Sequence, residues 1–182
     1  SNLLGFKTAT DEDIYSPTEI ISLTKNSALA SDSEVDEEDA NFMQRAFEMN
    51  DKVASDVMVD RTSMSVIDVE DKIADALKLY LEEQYSRFPV TADNDKDKII
   101  GYAYNYDIVR QARIDDQAKV STIMRDIVSI PENMKVPDVM DEMSAHRVPM
   151  AIVIDEYGGT SGIITDKDIY EELFGNLKDE QD

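Results

Sequence analysis

The residues with the clearest chemical potential are Gly162, Thr165 and Asp168, which follow one another at three-residue spacing. Gly162 closes a strand pattern, Thr165 stands where a helix N-cap is expected, and Asp168 falls in the first helical turn. A hydroxyl, free backbone N–H groups and a carboxylate would then point toward one place. A carboxylate there can accept hydrogen bonds from two vicinal hydroxyls, as recognition of a ribose requires. The alternative is that Thr165 and Asp168 only cap their own helix, and the residues alone leave both interpretations open.

The segment that carries this pattern repeats an earlier part of the chain. Residues 162–169 (GIITDKDI) match residues 101–108 (GYAYNYDI) at a distance of 61 positions. Two more pairs of blocks keep nearly the same distance, namely residues 86–90 with 146–150 and residues 53–58 with 119–124. Self-similarity of this kind indicates a supersecondary unit that buries its apolar face against a second copy.

The repeat divides the chain into four segments. They are an N-terminal linker with helices (1–52), a first unit (53–118), a second unit (119–176) and a short tail (177–182). In the first segment, Ser16-Pro17-Thr18-Glu19 reads as the start of a short helix, and a second helix is predicted from near Ser33 to Asn50.

Each unit is predicted to run strand, helix, strand, strand, helix, so the fold class is α/β. The expected elements are residues 64–69, 73–81, 87–91, 99–104 and 106–114 in the first unit, and 128–130, 136–143, 150–155, 160–164 and 166–174 in the second. Charged residues 93–98 are interpreted as one hairpin turn and residues 156–159 as the other, in which Gly158-Gly159 would supply the positive φ of a tight hairpin. We expect the two units to pack through their sheets about a pseudo-twofold axis.

Composition excludes several classes of protein. The chain has no cysteine, which rules out disulfides and thiolate chemistry, and its net charge of -22 without a basic stripe argues against nucleic acid as a partner. No apolar run approaches the roughly 20 residues that span a bilayer. No P-loop, dinucleotide glycine motif or Ser/His/Asp arrangement is present, so nothing favours an enzyme.

The repeated blocks resemble the CBS domain pair, the module named after cystathionine beta-synthase. More narrowly, Ser86-Arg87-Phe88-Pro89-Val90 together with residues 150–162 (MAIVIDEYGGTSG) resembles the CorC/HlyC family of hemolysin-like, magnesium and cobalt efflux proteins, which are related to the CNNM magnesium transporters. The resemblance covers about residues 33–177. It implies two β-α-β-β-α units with pseudo-twofold symmetry and an N-terminal helical extension.

The resemblance also implies an adenine nucleotide, ATP or AMP, as ligand, with Mg²⁺ as a further component. By correspondence with the family, the site of Thr165 and Asp168 is completed by the first unit. Tyr85 would stack on the adenine, Ser86 and Arg87 would meet the phosphates, and Pro89 and Thr62 would lie close to the ligand. The alternative for Arg87 is an ion pair with a neighbouring carboxylate.

The first repeat departs from this pattern, because Tyr104 stands at the position of Thr165 while Asp107 matches Asp168. The bulky ring is expected to fill the pocket, which leaves a second, vestigial site. We therefore expect one working nucleotide site in each chain.

In the related family the CBS pair follows four transmembrane segments and often precedes a further small domain. The chain is then expected to begin just after a membrane helix at Leu3 and to stop shortly after Gly175. The function implied is a regulatory, nucleotide-sensing homodimer on the cytoplasmic face of a membrane ion transporter. Two alternatives stay open: a dimerisation or structural module without a working site, and direct Mg²⁺ binding by the acidic surface.

Overall fold

The computed structural model describes residues 37–175 of the chain, which form six α-helices, seven β-strands and two short 3₁₀ turns. The helices are α1 (Glu37–Met49), α2 (Ala54–Val57), α3 (Ile73–Glu83), α4 (Asn105–Asp115), α5 (Val136–His146) and α6 (Asp166–Phe174). The strands are β1 (Val59–Asp60), β2 (Ile67–Asp68), β3 (Arg87–Ala92), β4 (Asp95–Tyr104), β5 (Val128–Pro131), β6 (Met150–Ile154) and β7 (Thr160–Thr165). The 3₁₀ turns are Arg61–Ser63 and Val120–Thr122.

Each repeat folds as expected into a strand, a helix, an antiparallel hairpin and a closing helix. In the first unit, β2 runs parallel to β3, and β3 pairs antiparallel with β4. In the second unit, β5 runs parallel to β6, and β6 pairs antiparallel with β7. The prediction of an α/β fold with two β-α-β-β-α units is confirmed. The short helix predicted from Ser16 lies outside the described residues, as does the predicted start of α1 near Ser33.

The two units exchange their leading segments. Strand β1, near the start of the first unit, pairs antiparallel with β7 of the second, with Val59 opposite Ile163. The corresponding contact in the other half is an isolated bridge, in which Arg125 and Tyr102 each donate a backbone N–H to the other's carbonyl over 2.9 Å. Each sheet therefore ends on a segment from the other half, which brings residues of both units to one cleft.

Glycine allows this close crossing. A Cβ on Gly162 would lie against the carbonyl oxygen of Val59, and a Cβ on Gly101 would lie 2.6 Å from the carbonyl oxygen of Arg125. Both glycines stand at the same place in their repeats, so the repeated glycine marks the position where the exchanged segment passes.

Three buried clusters follow from this arrangement. The first unit's cluster includes Phe88, Ile108 and the exchanged Val120, whereas the second unit's cluster includes Ile164 and residues from α1 and α2. The third cluster joins the two sheets through Met64, Tyr102, Met150 and Ile163. The units thus share apolar surface in both directions, which is the physical reason that neither repeat is expected to be stable without the other.

One part of the sequence alignment is wrong. Antiparallel pairing places Arg87 opposite Tyr104 in the first unit and Met150 opposite Thr165 in the second. Arg87 is therefore equivalent to Met150, at a distance of 63 positions, and not to Arg147 as the match of residues 86–90 with 146–150 implied. The shared Arg-x-Pro residues of the two blocks are a coincidence of residue type.

The predicted length of the charged turn at residues 93–98 is also wrong. Asp93 and Asn94 alone form the turn, with φ angles of 55° and 54°, and β4 begins at Asp95. The carboxylate of Asp68 explains the tight turn, because its Oδ1 accepts the backbone N–H of Asn94 over 2.7 Å and the hydroxyl of Thr91 over 2.9 Å.

Candidate functional site

A cleft of about 310 Å³ lies between the two units. One wall is the junction of β7 with α6, and the facing wall is the connection from α3 into β3. The floor is apolar and comes from the cluster that joins the sheets. The lining residues are Val59, Ser63, Met64, Ser65, Gln84, Tyr85, Ser86, Arg87, Pro89, Met150, Ile163, Thr165, Lys167, Asp168 and Glu171.

Six of the seven residues predicted for the working site line this cleft. Thr165 and Asp168 belong to the wall of the second unit, whereas Tyr85, Ser86, Arg87 and Pro89 belong to the wall of the first. Thr62 does not line it. Both its backbone N–H and its hydroxyl donate to Oδ2 of Asp60, over 3.0 and 2.7 Å, and the neighbouring residues 63–65 face the cleft instead.

Thr165 and Asp168 form a capping box at the start of α6. The Thr165 hydroxyl accepts the backbone N–H of Asp168 over 3.0 Å, and Oδ2 of Asp168 accepts the backbone N–H of Thr165 over 3.0 Å. The capping interpretation is thus confirmed, but it uses only one carboxylate oxygen. Within residues 37–175 no hydrogen bond reaches Oδ1 of Asp168, so the cap holds the carboxylate in place and leaves one oxygen available to the cleft.

The environment of Asp168 opposes its charge. Burial raises the pKa of this carboxyl above its ordinary value, and the hydrogen bonds from Thr165, which lower the pKa, do not offset the burial. A carboxylate that is partly desolvated and only half satisfied gains more than an exposed one from a ligand that donates hydrogen bonds.

Arg87 is the cation of the facing wall. Its side chain is half-buried, its guanidinium carbon lies 5.0 Å from the centroid of the Tyr104 ring, and its buried Nε has no hydrogen-bond partner. Arg87 forms no ion pair with any residue between 37 and 175, whereas Arg61 and Arg125 each pair with an aspartate. The alternative of an ion pair with a neighbouring carboxylate therefore finds no support in the described part of the chain.

The other residues of this wall are placed for contact with a flat ligand. Tyr85 lines the cleft, is 51% exposed, and meets Phe88 edge-on with ring centroids 5.9 Å apart. The loop that carries Tyr85 and Ser86 begins at Gln84, whose left-handed conformation (φ 63°) ends α3.

The matching pocket of the first repeat is filled from within the protein. Arg125 donates from Nε to Oδ2 of Asp107 over 2.7 Å and from Nη2 to Oδ1 over 3.2 Å, while Arg110 donates to Oδ1 over 3.3 Å. Asp107 is 8% exposed. The Tyr104 ring lies beside this pair, 5.5 Å from the guanidinium carbon of Arg125. Both oxygens of the carboxylate are thus occupied, in contrast to Asp168.

Sequence reasoning expected Tyr104 to fill this pocket and missed Arg125, which binds the carboxylate of Asp107. A signal was present, because the match of residues 53–58 with 119–124, extended by one position, places Arg125 at the position of Val59. The chain pairing confirms that equivalence, since Val59 pairs with Ile163 and Arg125 with Tyr102. Sequence reasoning also missed Lys167, which lies between the two predicted residues of α6.

Within 37–175 there is no group of three or more histidine and acidic side chains placed to hold a metal ion. Over the same range, every helix is too short or too polar to cross a membrane.

Comparison with known proteins agrees with this architecture. The CBS domain model matches residues 54–113 and 120–175. The magnesium and cobalt efflux protein CorC of Escherichia coli is 33% identical over 149 residues, which are 81% of this chain and 51% of CorC. The chain spans only 40–51% of the length of the curated relatives it matches.

Two solved structures are similar along nearly their whole length. The crystal structure of a hemolysin-like protein containing a CBS domain, from Oenococcus oeni PSU, is 92% identical, with a TM-score of 0.73, and covers 74% of this chain and 99% of its own. The CBS domain of a bacterial CNNM/CorC family Mg²⁺ transporter, solved in complex with ATP, is 33% identical, with a TM-score of 0.70, and covers 76% of this chain and 98% of its own. The chain therefore belongs to the CBS domain family and carries a CBS pair of the hemolysin-like CorC/CNNM group.

Proposed function

We propose that this CBS pair binds one adenine nucleotide per chain and is the regulatory module of a membrane transporter for Mg²⁺ or Co²⁺. The observation that carries the proposal is that one cleft holds a carboxylate and a guanidinium that still have hydrogen-bonding capacity for a ligand. Among residues 37–175, no donor reaches Oδ1 of Asp168 and no acid pairs with the guanidinium of Arg87. They come from different units, so a ligand that uses both must lie across the cleft.

The ribose is assigned to the wall of Asp168. A ribose presents two vicinal hydroxyl donors, and a carboxylate that is already oriented by its capping box can accept them without further ordering. A bare phosphate would be repelled there, because Asp168 and Glu171 both line this wall. The chemistry of the wall therefore favours a nucleoside end of the ligand.

The phosphates are assigned to Arg87, with Lys167 as a second cation at the edge of the cleft. The Nζ of Lys167 lies 3.8 Å from Oε1 of Glu171, so its pairing is loose. A chain with a net charge of -22 needs local cations to accept a polyphosphate. Since no metal-ligating cluster lies in the described residues, Mg²⁺ is assigned to the nucleotide phosphates and not to the protein.

The adenine is assigned to the exposed ring of Tyr85, and the apolar floor beneath it suits an aromatic base. Ser86 offers a hydroxyl on the same loop as a further donor to phosphate. Ring stacking of this kind is tolerant of base type, so the preference for adenine rests on the ATP complex of the related CBS domain.

The regulatory role rests on the relatives. CorC is described as a magnesium and cobalt efflux protein, and the ATP-bound neighbour is a domain of a Mg²⁺ transporter. In the full-length protein we place this CBS pair on the cytoplasmic face of the membrane, attached to a transmembrane domain. A ligand that joins both units would change their relative positions and so carry a signal to that domain.

We further propose that the chain forms a homodimer through the outer helices of its CBS units. Several large apolar side chains on these helices are exposed, and most of them lie on α3 and α4, which contact each other. Single exposed apolar residues are ordinary, whereas a group of them indicates an interface. The exposed side chains are Leu81 on α3, Tyr106, Val109 and Ile114 on α4, and Tyr170 on α6. Size-exclusion chromatography with light scattering would report the mass of a dimer, and a monomer at micromolar concentration would contradict this proposal.

Isothermal titration with ATP, AMP, adenosine and Mg²⁺, each alone, tests the function. We expect adenine nucleotides to bind at one per chain and to raise the melting temperature, because a ligand that binds only the folded state stabilises it. Mg²⁺ alone should neither bind nor stabilise. If ATP and AMP leave the melting curve unchanged at millimolar concentration, the dimerisation module becomes the better account. If Mg²⁺ alone stabilises the protein, the acidic surface is the ligand site.

A further inference from the structure

We propose that Tyr104 is a positioning residue for Arg87, so that the altered pocket of the first repeat serves the working site of the second. The inference rests on the proposed function, because it assumes that Arg87 binds phosphate. It adds a role for a residue that otherwise only fills the vestigial pocket.

Strand pairing makes Arg87 and Tyr104 direct neighbours. They are opposite each other in the antiparallel register of β3 and β4, and the guanidinium carbon lies 5.0 Å from the ring centroid. Side chains directly opposite each other in such a pair lie on the same face of the sheet. At the equivalent place in the second unit, Met150 is opposite Thr165, so that unit has neither the cation nor the ring.

The ring supports the guanidinium in a way that a carboxylate could not. A carboxylate would accept hydrogen bonds from the edge of the guanidinium and occupy the donors that a phosphate needs. An aromatic face attracts the cation through its flat side and leaves the donors at the edge free. The buried Nε of Arg87 has no partner in the described part of the chain, so no carboxylate there binds this edge of the guanidinium. Tyr104 thus gives Arg87 a fixed place without neutralising it.

Several contacts keep the Tyr104 ring in position. It meets Tyr106 edge-on with ring centroids 5.2 Å apart, and it lies 5.5 Å from the guanidinium carbon of Arg125. Its backbone ends β4 and forms the N-cap of α4. The support is therefore redundant, and no single neighbour is expected to be essential for it.

Titration calorimetry with ATP and adenosine on the wild type, Tyr104→Leu and Tyr104→Phe tests the inference. Leucine removes the aromatic face but keeps apolar bulk, so ATP affinity should fall about three- to tenfold, while adenosine affinity stays at the wild-type value. Phenylalanine keeps the face, so it should restore ATP affinity. In an Arg87→Gln background, Tyr104→Leu should have no further effect on ATP, because the interaction it supports is already lost.

Tyr157→Leu is the matched control, because Tyr157 is 89% exposed in the turn between β6 and β7 and does not line the cleft. Equal losses for ATP and adenosine in Tyr104→Leu would overturn the inference, as would wild-type ATP affinity or an effect that persists without Arg87. These results leave the proposed function intact as long as the wild type binds ATP. A wild type that binds neither ligand would overturn both proposals. Melting curves of all variants show whether a loss reflects unfolding.

Discussion

Asp107 and Arg125 form a two-point ion pair in which Nε meets Oδ2 over 2.7 Å and Nη2 meets Oδ1 over 3.2 Å. Asp107 is the repeat counterpart of Asp168, yet its carboxylate is satisfied within the protein, whereas that of Asp168 keeps an oxygen open. The two units have the same order and pairing of strands and helices. They differ at the position next to the aspartate, where the first pocket has Arg125 and the second has Val59. This asymmetry is the structural basis for expecting one ligand per chain.

The first prediction compares the two aspartates. Asp168→Asn should lower nucleotide affinity about ten- to a hundredfold, since a hydrogen bond to a charged group contributes about 1.5–3 kcal/mol. Asp107→Asn should change affinity far less, because Asp107 contacts Arg125 and Arg110 and not the cleft. Calorimetry on both variants measures the difference. Equal losses, or two nucleotides bound per wild-type chain, would contradict a single working site.

The same asparagine variant separates binding from folding. The asparagine carbonyl can still accept the backbone N–H of Thr165, so the cap of α6 is kept while the desolvated charge is removed. Denaturant unfolding of Asp168→Asn should therefore show a stability equal to or above that of the wild type. Thr165→Ala is the contrasting variant, since it removes the capping hydroxyl and should cost about 1 kcal/mol.

The second prediction concerns Arg87. Arg87→Gln should weaken ATP about tenfold or more and leave adenosine nearly unchanged, because the lost partner is phosphate. Arg113→Gln is a suitable control, since Arg113 is exposed on α4 and does not line the cleft. Calorimetry with both ligands gives the comparison. If ATP and adenosine lose affinity in parallel, Arg87 supports the fold of the cleft and does not bind phosphate.

The third prediction is the pH dependence of binding. Burial raises the pKa of Asp168 in the free protein, and ribose hydroxyls bind its charged form, so binding lowers that pKa. At a pH near the pKa of the free protein, binding therefore releases a proton. Affinity should be full above the pKa of the free protein and fall as the pH drops through it. Adenosine is the ligand to use, because it has no phosphate that titrates in this range. The loss should disappear in Asp168→Asn, and a loss of the same size in that variant would assign the titration to another group.

The fourth prediction concerns acid stability through Asp68. Burial raises the pKa of Asp68, but hydrogen bonds from Asn94, Glu70 and Thr91 outweigh it and hold the pKa below its ordinary value. A lowered pKa stabilises the fold above the pKa of the unfolded chain, and that stability is lost as the pH falls through the folded value.

The comparison with Asp68→Ala measures this contribution. The variant should be less stable at neutral pH by about 1–3 kcal/mol, since the buried Thr91 hydroxyl and the backbone N–H groups of Glu70 and Asn94 lose their acceptor. The difference from the wild type should shrink in acid. Asp126→Ala, at an exposed position, provides the baseline. A difference that stays constant from neutral to acidic pH in urea unfolding would refute the proposed role of the charge.

The fifth prediction tests the exchanged segment. Gly162→Ala should destabilise the protein by about 1–3 kcal/mol, because the added methyl overlaps the carbonyl oxygen of Val59 where β1 crosses β7. Val59 also lines the cleft, so nucleotide affinity should fall with it. Gly158→Ala, in the hairpin turn, should cost stability through its φ of 84° without a change in affinity. An unchanged melting temperature for Gly162→Ala would contradict this prediction, because it would show that the backbone at Val59 moves away from the added methyl without loss of stability.

Local features of the fold could be predicted from the sequence because they depend on neighbours along the chain. The spacing of Thr165 and Asp168 predicts the capping box that starts α6, and that box is present. Helices α3 and α5 follow from apolar residues at helical spacing; they begin at the predicted residues and continue two and three residues beyond the predicted ends. The turn at Gly158 follows from its residue type.

The family was likewise accessible from the sequence, through one long string of residues in the second unit. The position of the cleft was not, because it depends on pairing between segments about a hundred residues apart. Val59 meets Ile163 only after the units have exchanged their leading segments, and no local pattern marks that exchange. The alignment of the two repeats was wrong for the same reason. Residue types suggested that Arg147 is the repeat equivalent of Arg87, whereas strand pairing shows that the equivalent is Met150.

The sequence by itself determined the two-unit α/β plan, the family and the candidates for each wall of the cleft, since these depend on local periodicity, capping and residue type. Only the tertiary structure decided which charges were available. Asp107 and Asp168 are alike in sequence, but a guanidinium from the exchanged segment reaches the first and none reaches the second within the described residues. Arg87 was already a candidate phosphate ligand, and the tertiary structure decided that its near neighbour is an aromatic ring and not an acid. Charge pairing is a matter of distance in space, and the order of residues along the chain does not determine that distance.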